Sequence, residues 1–494
     1  MPAETDSVFP PPGAGLASPD LPELVLLDAV ELSWLVERRE VSCVELMRTF
    51  LAHVDRFNPL VNAIVARAPD EELLSEARQR DRELARGEHR GWMHGLPIAV
   101  KDLSDAAGFP TTKGSPLLGG ERARTDELFV RRMRESGAIV IGKTNVPEFG
   151  LGSHTFNDVF GTTANPFDHS RTAGGSSGGA AAALALRMLP VADGSDFMGS
   201  LRNPAAFCNV LGLRPTFGRV PGEGFLSEPG VAGPMGRTAR DTAMLLSTMA
   251  GPDERAPLSA ELDPAVYAGS LERDLGGVRI GWLGDFDGYL PTEPGVLDLC
   301  TSSFRVFEEI GCAVEPVTAR LPVERAWRTF LLWRHWMLGR ALAELDADPA
   351  LRARIKPEAR FELDGARDLA VADVGDALDG RTAWRAAVSD LFDTYDFLLA
   401  PTAQVFPFDA GLRWPGEVAG RPMDTYHRWM EAVAPWTLSG HPVINLPAGF
   451  SPGGLPNGVQ LIGRGHDELG LLQVANAYEQ ASDWVHRVLA PCLR

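Results

Sequence analysis

Residues 96–141 begin with the short apolar run LPIAV (96–100) and end with a second one, AIVI (138–141). Between these two runs, residues 126–135 (DELFVRRMRE) have the spacing of apolar and charged residues that is typical of a helix. Short β-branched runs bounded by turn residues predict strands. A strand–helix–strand order favours a parallel or mixed sheet with helical cover, so this stretch predicts an α/β fold.

The same alternation continues toward the C-terminus. Further strands are predicted at residues 278–282, 313–317, 396–399, 443–446 and 459–462, with helices at residues 296–310 and 468–481. Because strands and helices interleave, we expect these strands to share one sheet. Residues 321–393 are charged and contain no strand signal, which predicts a helical insertion that covers the sheet.

Domain organisation follows from length and composition. The chain has 494 residues, 45% of them hydrophobic, which is enough for a large packed interior. Residues 1–18 are rich in Pro and Gly and are predicted to be a loosely ordered arm. Residues 19–494 are expected to form one domain that contains the insertion at about 321–393.

Charge and cysteine use indicate the partners and the compartment. The formal net charge is −19, and no block of five or more basic residues occurs, so a nucleic-acid partner is disfavoured and a small neutral substrate fits better. The first 20 residues lack the pattern of a secretory signal, and no membrane partner is expected. The five cysteines form no C-x-x-C pair, and the expected compartment is the cytoplasm.

Two motifs match known patterns but lack the expected surroundings. Residues 137–144 (GAIVIGKT) satisfy the P-loop pattern, yet AIVI is the predicted strand rather than a phosphate-binding loop. Residues 174–178 (GGSSG) satisfy the G-x-S-x-G pattern of a nucleophile elbow, yet a polar loop precedes them where an elbow needs a strand. The elbow and a structural glycine turn both remain open for the second motif.

A third segment, residues 193–204 (DGSDFMGSLRNP), is predicted to be a turn that follows the apolar residues 189–192. Successive N–H groups in such a turn can converge on an oxyanion, and Ser200 lies near its end. Taken alone, this segment is equally compatible with a plain surface turn.

Together, three pieces resemble the signature of the amidase signature family. They are Lys101 in GLPIAVKD (95–102), the serine loop at residues 174–179, and GSLR at residues 199–202. Lys101 and Ser176 are 75 residues apart and Ser176 and Ser200 are 24 apart, as expected for that family. The resemblance implies the amidase signature fold, an α/β structure with a central mixed, twisted sheet covered by helices on both faces.

The resemblance also implies a role for each matching residue. Ser200 would be the nucleophile, Ser176 a bridging serine that follows a cis peptide bond, and Lys101 a buried neutral base. The implied oxyanion hole consists of the backbone N–H groups of Phe197, Met198, Gly199 and Ser200, and the implied supporting residues are Ser177, Arg202, Gly174 and Gly175. Met198 replaces a glycine that is common in the family, which changes the expected substrate shape. No cofactor and no metal are implied.

The implied activity is hydrolysis of a small carboxylic amide, for example an aryl amide, through an acyl-enzyme on Ser200. One alternative is a carbamate or ester hydrolase that uses the same triad. Another is the glutamine amidotransferase subunit of a tRNA-dependent complex, against which the acidic net charge argues. The expected partner is a small neutral amide-like substrate, and a homodimer is one possible oligomeric state.

An aromatic stripe lies inside the predicted insertion. Trp327, Phe330, Trp333 and Met337 recur at helical spacing. Such stripes usually pack in the core, although aromatic residues also line substrate pockets, so both roles remain open here.

Overall fold

The computed structural model describes residues 20–222 and 230–494. The predicted arm at residues 1–18 lies outside the described residues. Strands are numbered in chain order: β1 (Ile64–Val65), β2 (Pro97–Lys101), β3 (Ile139–Thr144), β4 (Phe156–Asn157), β5 (Gly161–Thr162), β6 (Val191–Asp196), β7 (Leu211–Arg214), β8 (Val231–Gly236), β9 (Arg279–Trp282), β10 (Ala313–Pro316), β11 (Phe397–Pro401), β12 (Glu417–Val418), β13 (Arg421–Pro422), β14 (Val443–Phe450) and β15 (Pro456–Ile462).

The α-helices are α1 (Glu23–Leu26), α2 (Ala29–Glu37), α3 (Cys43–Val61), α4 (Asp70–Ala85), α5 (Leu128–Glu135), α6 (Gly178–Ala185), α7 (Arg202–Phe207), α8 (Ala239–Met249), α9 (Val296–Ser302), α10 (Phe304–Glu309), α11 (Val323–Ala341), α12 (Ala343–Ala347), α13 (Pro349–Arg352), α14 (Pro357–Arg367), α15 (Val371–Leu391), α16 (Ala434–Ser439), α17 (Glu468–Ser482) and α18 (Trp484–Arg487). Hydrogen bonds of side chains next to the helices explain where individual helices begin. For example, α3 begins at Cys43 because the Ser42 hydroxyl accepts a hydrogen bond from the N–H of Glu45 at 3.0 Å.

A mixed eight-stranded sheet forms the centre of the fold, with the strand order β10-β9-β11-β15-β14-β7-β8-β6. Strands β10, β9 and β11 run parallel, whereas the other neighbours pair antiparallel. A second, three-stranded sheet has the order β1-β3-β2. The α/β fold class is therefore confirmed, with a mixed central sheet.

Both faces of the central sheet are covered, as the alternation along β11 demonstrates. Phe397 and Leu399 belong to the large apolar cluster that includes residues of α9 and α17, whereas Leu398 belongs to a second cluster with Trp384 of α15. Successive strand residues point to opposite faces, so helices pack on each side.

The five strands predicted between residues 278 and 462 all lie in the central sheet, as expected. The strands predicted at residues 96–100 and 138–141 form the smaller sheet instead, where β2 and β3 pair in parallel. The helix predicted at residues 296–310 is two helices, α9 and α10, which meet at Ser303. Residues 321–393 hold α11 to α15.

The expected turn at residues 193–204 is wrong in its first part, because β6 continues to Asp196. Gly194 of β6 pairs with Gly233 of β8 in the central sheet. Glycine and proline have a low preference for strands, so the local sequence of β6 and β8 gives little indication of a strand. Close packing explains the glycine, since a Cβ on Gly194 would lie 2.6 Å from Leu201 and 2.8 Å from Ser177.

Candidate active site

Lys101 is the last residue of β2, and its side chain is fully buried. Its Nζ atom lies 2.9 Å from Ser176 Oγ, 2.7 Å from Ser177 Oγ, 3.0 Å from Ser195 Oγ and 3.1 Å from the Ser195 carbonyl oxygen. The carbonyl can only accept, so one N–H of the amine is committed to it. The three hydroxyls can donate or accept, so a neutral amine at this position has a hydroxyl partner for its lone pair.

Burial lowers the pKa of Lys101 to about 7, even though the carboxylates of Asp193 and Asp196 act to raise it. Both carboxylate oxygens of Asp193 lie 3.3 Å from the backbone N–H group of Lys101, which donates to them. Burial in turn raises the pKa of Asp193 to about 6. No carboxylate among the described residues forms an ion pair with the Nζ atom of Lys101.

The serine loop lies between Lys101 and the Ser200 turn. The Gly175–Ser176 peptide bond is cis, as the family resemblance implies. Gly174 has φ of +76°, and a Cβ there would lie 2.9 Å from the Cα atom of Pro204, so this position requires glycine. The N–H of Ser177 donates to the carbonyl of Ser200 at 3.3 Å, which ties the two loops together.

Asp196, at the end of β6, organises the turn that carries Ser200. Its carboxylate accepts hydrogen bonds from the N–H groups of Gly199 (2.8 Å) and Leu201 (3.2 Å) and from Arg202 Nε (3.0 Å). Burial opposes the charged form, but Arg202 and Arg214 outweigh it and lower the pKa of Asp196 to about 2. The turn is therefore organised around a carboxylate that is charged at neutral pH.

Arg202 also joins this turn to the central sheet. Its Nη1 group donates to the side chain of Gln460 in β15 at 2.9 Å and to the carbonyl of Val433 at 3.1 Å. Its Nη2 group reaches Thr437 in α16 at 3.0 Å. Arg202 and Ser177 thus both contact the loops that hold the candidate catalytic residues.

One of the predicted oxyanion donors, the N–H of Gly199, already has an acceptor within the protein. The N–H of Gly199 already donates to Asp196, so its hydrogen is not available to a substrate oxygen. The N–H groups of Met198 and Ser200 have no acceptor among residues 20–222 and 230–494. Phe197 precedes them and is half-buried at the cleft.

A cleft of about 130 Å³ brings the predicted residues together. Its lining residues are Leu103, Phe149, Gly150, Leu151, Gly152, Ser176, Ser195, Phe197, Met198, Ser200, Arg334, Leu338 and Met430. Two polar residues of this lining were not predicted, Ser195 and Arg334. Ser195 lies two residues after Asp193, and residues two apart on a strand share a face of the sheet. This spacing is the sequence signal that could have identified Ser195.

The three aromatic residues of the stripe pack in the core, whereas Met337 is only half-buried. Trp327, Phe330 and Trp333 are each no more than 6% exposed, and Trp327 and Phe330 share an apolar cluster with Met198. The residues of α11 that line the cleft are instead Arg334 and Leu338. No local signal distinguishes Arg334 from the other arginines of this helix.

The P-loop match is a buried strand, β3. Lys143 is fully buried, and its Nζ atom donates to the carbonyl of Ser104 at 2.6 Å. Lys113 is exposed, whereas Lys356 donates to the carbonyl of Leu151 at 2.8 Å. The loop before Ser176 contains no strand between residues 163 and 177, which also argues against a nucleophile elbow.

Within the described ranges, no group of three or more His, Cys, Asp or Glu side chains is arranged to hold a metal ion. No helix in the same part of the chain combines the length and apolar character needed to cross a bilayer.

Known proteins resemble this chain over most of its length. The family model described as Amidase matches residues 45–472. A glutamyl-tRNA(Gln) amidotransferase subunit of Methylococcus capsulatus is 35% identical over 486 residues, which cover 93% of this chain and 98% of that protein.

Solved structures also match this chain over most of its length. A bacterial aryl acylamidase of the amidase signature enzymes matches with a TM-score of 0.85 and 29% identity, over 93% of this chain and 98% of that one. The corresponding glutamyl-tRNA(Gln) amidotransferase subunit of Thermotoga maritima matches with a TM-score of 0.75 and 28% identity, over 94% and 96%. From the extent of the family match, together with these relatives, the chain belongs to the amidase family of amidase signature enzymes, which act on C–N bonds.

Proposed function

We propose that this chain is a serine amidase in which Ser200 is the nucleophile, Ser176 the bridging residue and Lys101 the base. The observation that carries the proposal is the 2.9 Å contact between Lys101 Nζ and Ser176 Oγ, on the wall of the cleft that Ser200 also lines. A buried amine with a pKa of about 7 can accept a proton near neutral pH, as a general base must.

In the proposed reaction, Ser200 Oγ attacks the amide carbonyl carbon and passes its proton to Ser176 Oγ. The proton of Ser176 moves to Lys101 Nζ. The N–H groups of Met198 and Ser200 bind the oxyanion. Lys101 then returns the proton through Ser176 to the departing amine, which leaves the acyl group on Ser200. Water attacks the ester by the same relay and releases the acid.

A small, largely apolar amide is the first candidate substrate. The cleft is small, and Leu103, Phe149, Leu151, Leu338 and Met430 supply apolar walls. Apolar walls stabilise hydrocarbon or aryl groups by removing them from water. The structural similarity to an aryl acylamidase supports the same substrate class. A carbamate or an ester presents the same carbonyl and is accessible to the same residues.

Glutamine is the second candidate, as the amide donor of an amidotransferase. Curated relatives named as glutamyl-tRNA(Gln) amidotransferase subunits are 33–35% identical over nearly the whole chain. These names favour the amidotransferase alternative over the small-amide hydrolase. In this case the chain would work with partner subunits, whereas the hydrolase would work as a single chain or as a homodimer.

Cysteine chemistry supports a reducing compartment for either candidate. All five cysteines are free. We therefore keep the cytoplasm as the proposed location.

Mass spectrometry of products and protein tests this proposal. The wild type and Ser200→Ala are incubated with aliphatic amides, anilides, carbamates, esters and glutamine, and gel filtration gives the oligomeric state of the isolated chain. Turnover by the wild type alone, with an acyl adduct on Ser200, is expected. Failure of a serine-reactive phosphonate to label Ser200 would overturn the assignment, and glutamine as the preferred substrate would select the amidotransferase.

A further inference from the structure

Arg334 contributes a cationic side chain to the wall of the candidate active site. It lies on α11 and is 2% exposed, and it lines the same cleft as Ser176 and Ser200. The other residues of this lining carry no formal charge. A buried guanidinium in a small apolar cleft therefore dominates the polarity of this wall.

Three neighbours hold Arg334 in place. Its Nε group donates to Glu362 at 2.7 Å, and its Nη2 group donates to the hydroxyl of Tyr426 at 2.8 Å. Tyr426 in turn donates to the same carboxylate at 2.5 Å. The guanidinium carbon lies 4.9 Å from the ring centroid of Phe197, the residue that precedes Met198 in the turn. The side chain is thus oriented before any substrate arrives.

The Nη1 group of Arg334 makes no hydrogen bond to the described part of the protein. By contrast, Nε donates to Glu362 and one N–H of Nη2 donates to Tyr426. Arg334 lines the cleft, so an acceptor atom of a bound molecule can take a hydrogen bond from this charged donor. This donor is therefore available to an acceptor on a molecule bound in the cleft.

Charge balance indicates the kind of acceptor. The carboxylate of Glu362 is fully buried, and Arg334 holds its pKa well below the usual range despite the opposing effect of burial. Arg334 and Glu362 together therefore have no net charge. A substrate carboxylate would bring an uncompensated anion into this small cleft, whereas a neutral oxygen would only accept a hydrogen bond.

We infer that Arg334 is a specificity-determining residue that binds a neutral oxygen acceptor, such as a ketone or amide carbonyl, carried by the substrate in addition to its scissile amide. This inference deepens the proposed function and rests on it only for the position of the reacting carbonyl. The preferred substrate is an uncharged amide with a second carbonyl, ahead of a plain hydrocarbon amide and ahead of an anionic one.

Binding to Ser200→Ala tests the inference without requiring catalysis. The probes are 4-oxopentanamide, 4-methylpentanamide and 4-amino-4-oxobutanoate, which share one shape and differ in carrying a ketone, a branched hydrocarbon or a carboxylate. Isothermal titration calorimetry is expected to give a Kd about tenfold lower for the ketone than for the hydrocarbon, as for a hydrogen bond to a charged donor. Equal affinities, tightest binding of the carboxylate, or no binding of any probe would overturn it.

Variants assign the preference to Arg334. Replacing the ion pair with apolar residues, Arg334→Met with Glu362→Leu, avoids leaving a lone buried charge and is expected to abolish the ketone preference. Arg334→Lys is a second variant in case the double variant does not fold, and it is expected to reduce the preference because its single amine faces Glu362. Arg328→Gln, on the exposed side of α11, is the matched control and should keep it. Retention of the full preference in both Arg334 variants would contradict the inference.

Ser200 labelling separates the two proposals. If a serine-reactive phosphonate labels Ser200 but the three probes bind equally, the catalytic assignment stands and the role of Arg334 is wrong. If Ser200 is not labelled but the ketone binds tightest to the Ser200→Ala protein, the recognition role stands and the catalytic assignment is wrong.

Discussion

The carboxylate of Asp102 lies 3.6 Å from the Nζ atom of Lys143, and both side chains are fully buried. Asp102 directly follows Lys101, yet its oxygens also accept hydrogen bonds from the N–H and the hydroxyl of Thr112, at 3.2 and 2.5 Å. Asp102 is therefore paired with Lys143 and with the donors of Thr112, and no carboxylate in the described part of the chain forms an ion pair with Lys101 Nζ. Because a nearby carboxylate would favour the protonated amine, this separation helps to keep Lys101 able to accept a proton.

The rate of amide turnover should rise with pH up to about 7 and then level off. Only neutral Lys101 can take the proton of Ser176, and burial lowers its pKa to about 7. We expect kcat/KM for a neutral amide to increase about tenfold per pH unit below that value. Asp193→Asn removes a negative charge near the amine and should move the rise to lower pH. A rate that does not change from about pH 5.5 to about pH 8 would contradict the role of Lys101.

Replacing Lys101 with arginine should be as damaging as replacing it with methionine. Arginine keeps a positive charge but cannot be deprotonated, so it cannot serve as the base. Each variant is expected to lower kcat by about 10³-fold, within the range for loss of general base catalysis. The exposed Lys113→Arg is the matched control and should turn over normally. Near-normal turnover by Lys101→Arg would refute the neutral-base mechanism.

Gly199→Ala should disrupt the turn that carries Ser200. Gly199 has φ of +78°, and an added Cβ would lie 2.5 Å from a methyl group of Val433. We expect a loss of stability of about 2 kcal/mol or more from strain and overpacking, together with loss of turnover. Gly375→Ala, in α15 with open space around it, should instead be neutral or stabilise by up to about 1 kcal/mol. Urea unfolding of both variants measures the contrast, and equal behaviour would be inconsistent with this role of Gly199.

Asp196→Asn should destabilise the protein by about 3 kcal/mol at neutral pH. The change leaves Arg202 and Arg214 buried without their carboxylate. The pKa of Asp196 is lowered from 3.8 to about 2 in the folded protein, so its stabilising contribution is present above pH 4 and is lost as pH falls through 2.

Urea unfolding at neutral pH and near pH 2 checks this prediction. The difference in unfolding free energy between wild type and Asp196→Asn should shrink at the lower pH. Asp379→Asn, on the exposed face of α15, should leave stability unchanged at neutral pH. A difference that stays constant with pH would exclude ionised Asp196 as its source.

Local sequence patterns predicted most of the central sheet but not its other edge. The strands at residues 278–462 have apolar, β-branched runs, and all five were correctly placed in one sheet. Strands β6 and β8 contain glycine, proline or aspartate and have little intrinsic strand preference. The pairing of β6 with β8, and of β8 with β7, stabilises them, and such pairing is a property of the assembled sheet.

The residues of the candidate site also divide into those that the sequence predicts and those that it does not. The residue types, their order and the separations among Lys101, Ser176 and Ser200 are encoded in the chain and were sufficient to identify the family. The missed residue Ser195 lies on the strand whose end was mistaken for a turn. Arg334 lies 134 residues beyond Ser200 in the chain, and no local sequence signal distinguishes it.

The sequence by itself determined which groups can react and in what order they occur. Only the tertiary structure decided their chemical state and availability. Lys101 has a depressed pKa because folding removes it from water, and Asp196 occupies the N–H of Gly199 because β6 ends beside the turn. Arg334 faces the cleft because Glu362 and Tyr426 hold it there. Desolvation and hydrogen bonding depend on neighbours that are distant in sequence, and these neighbours exist only in the folded chain.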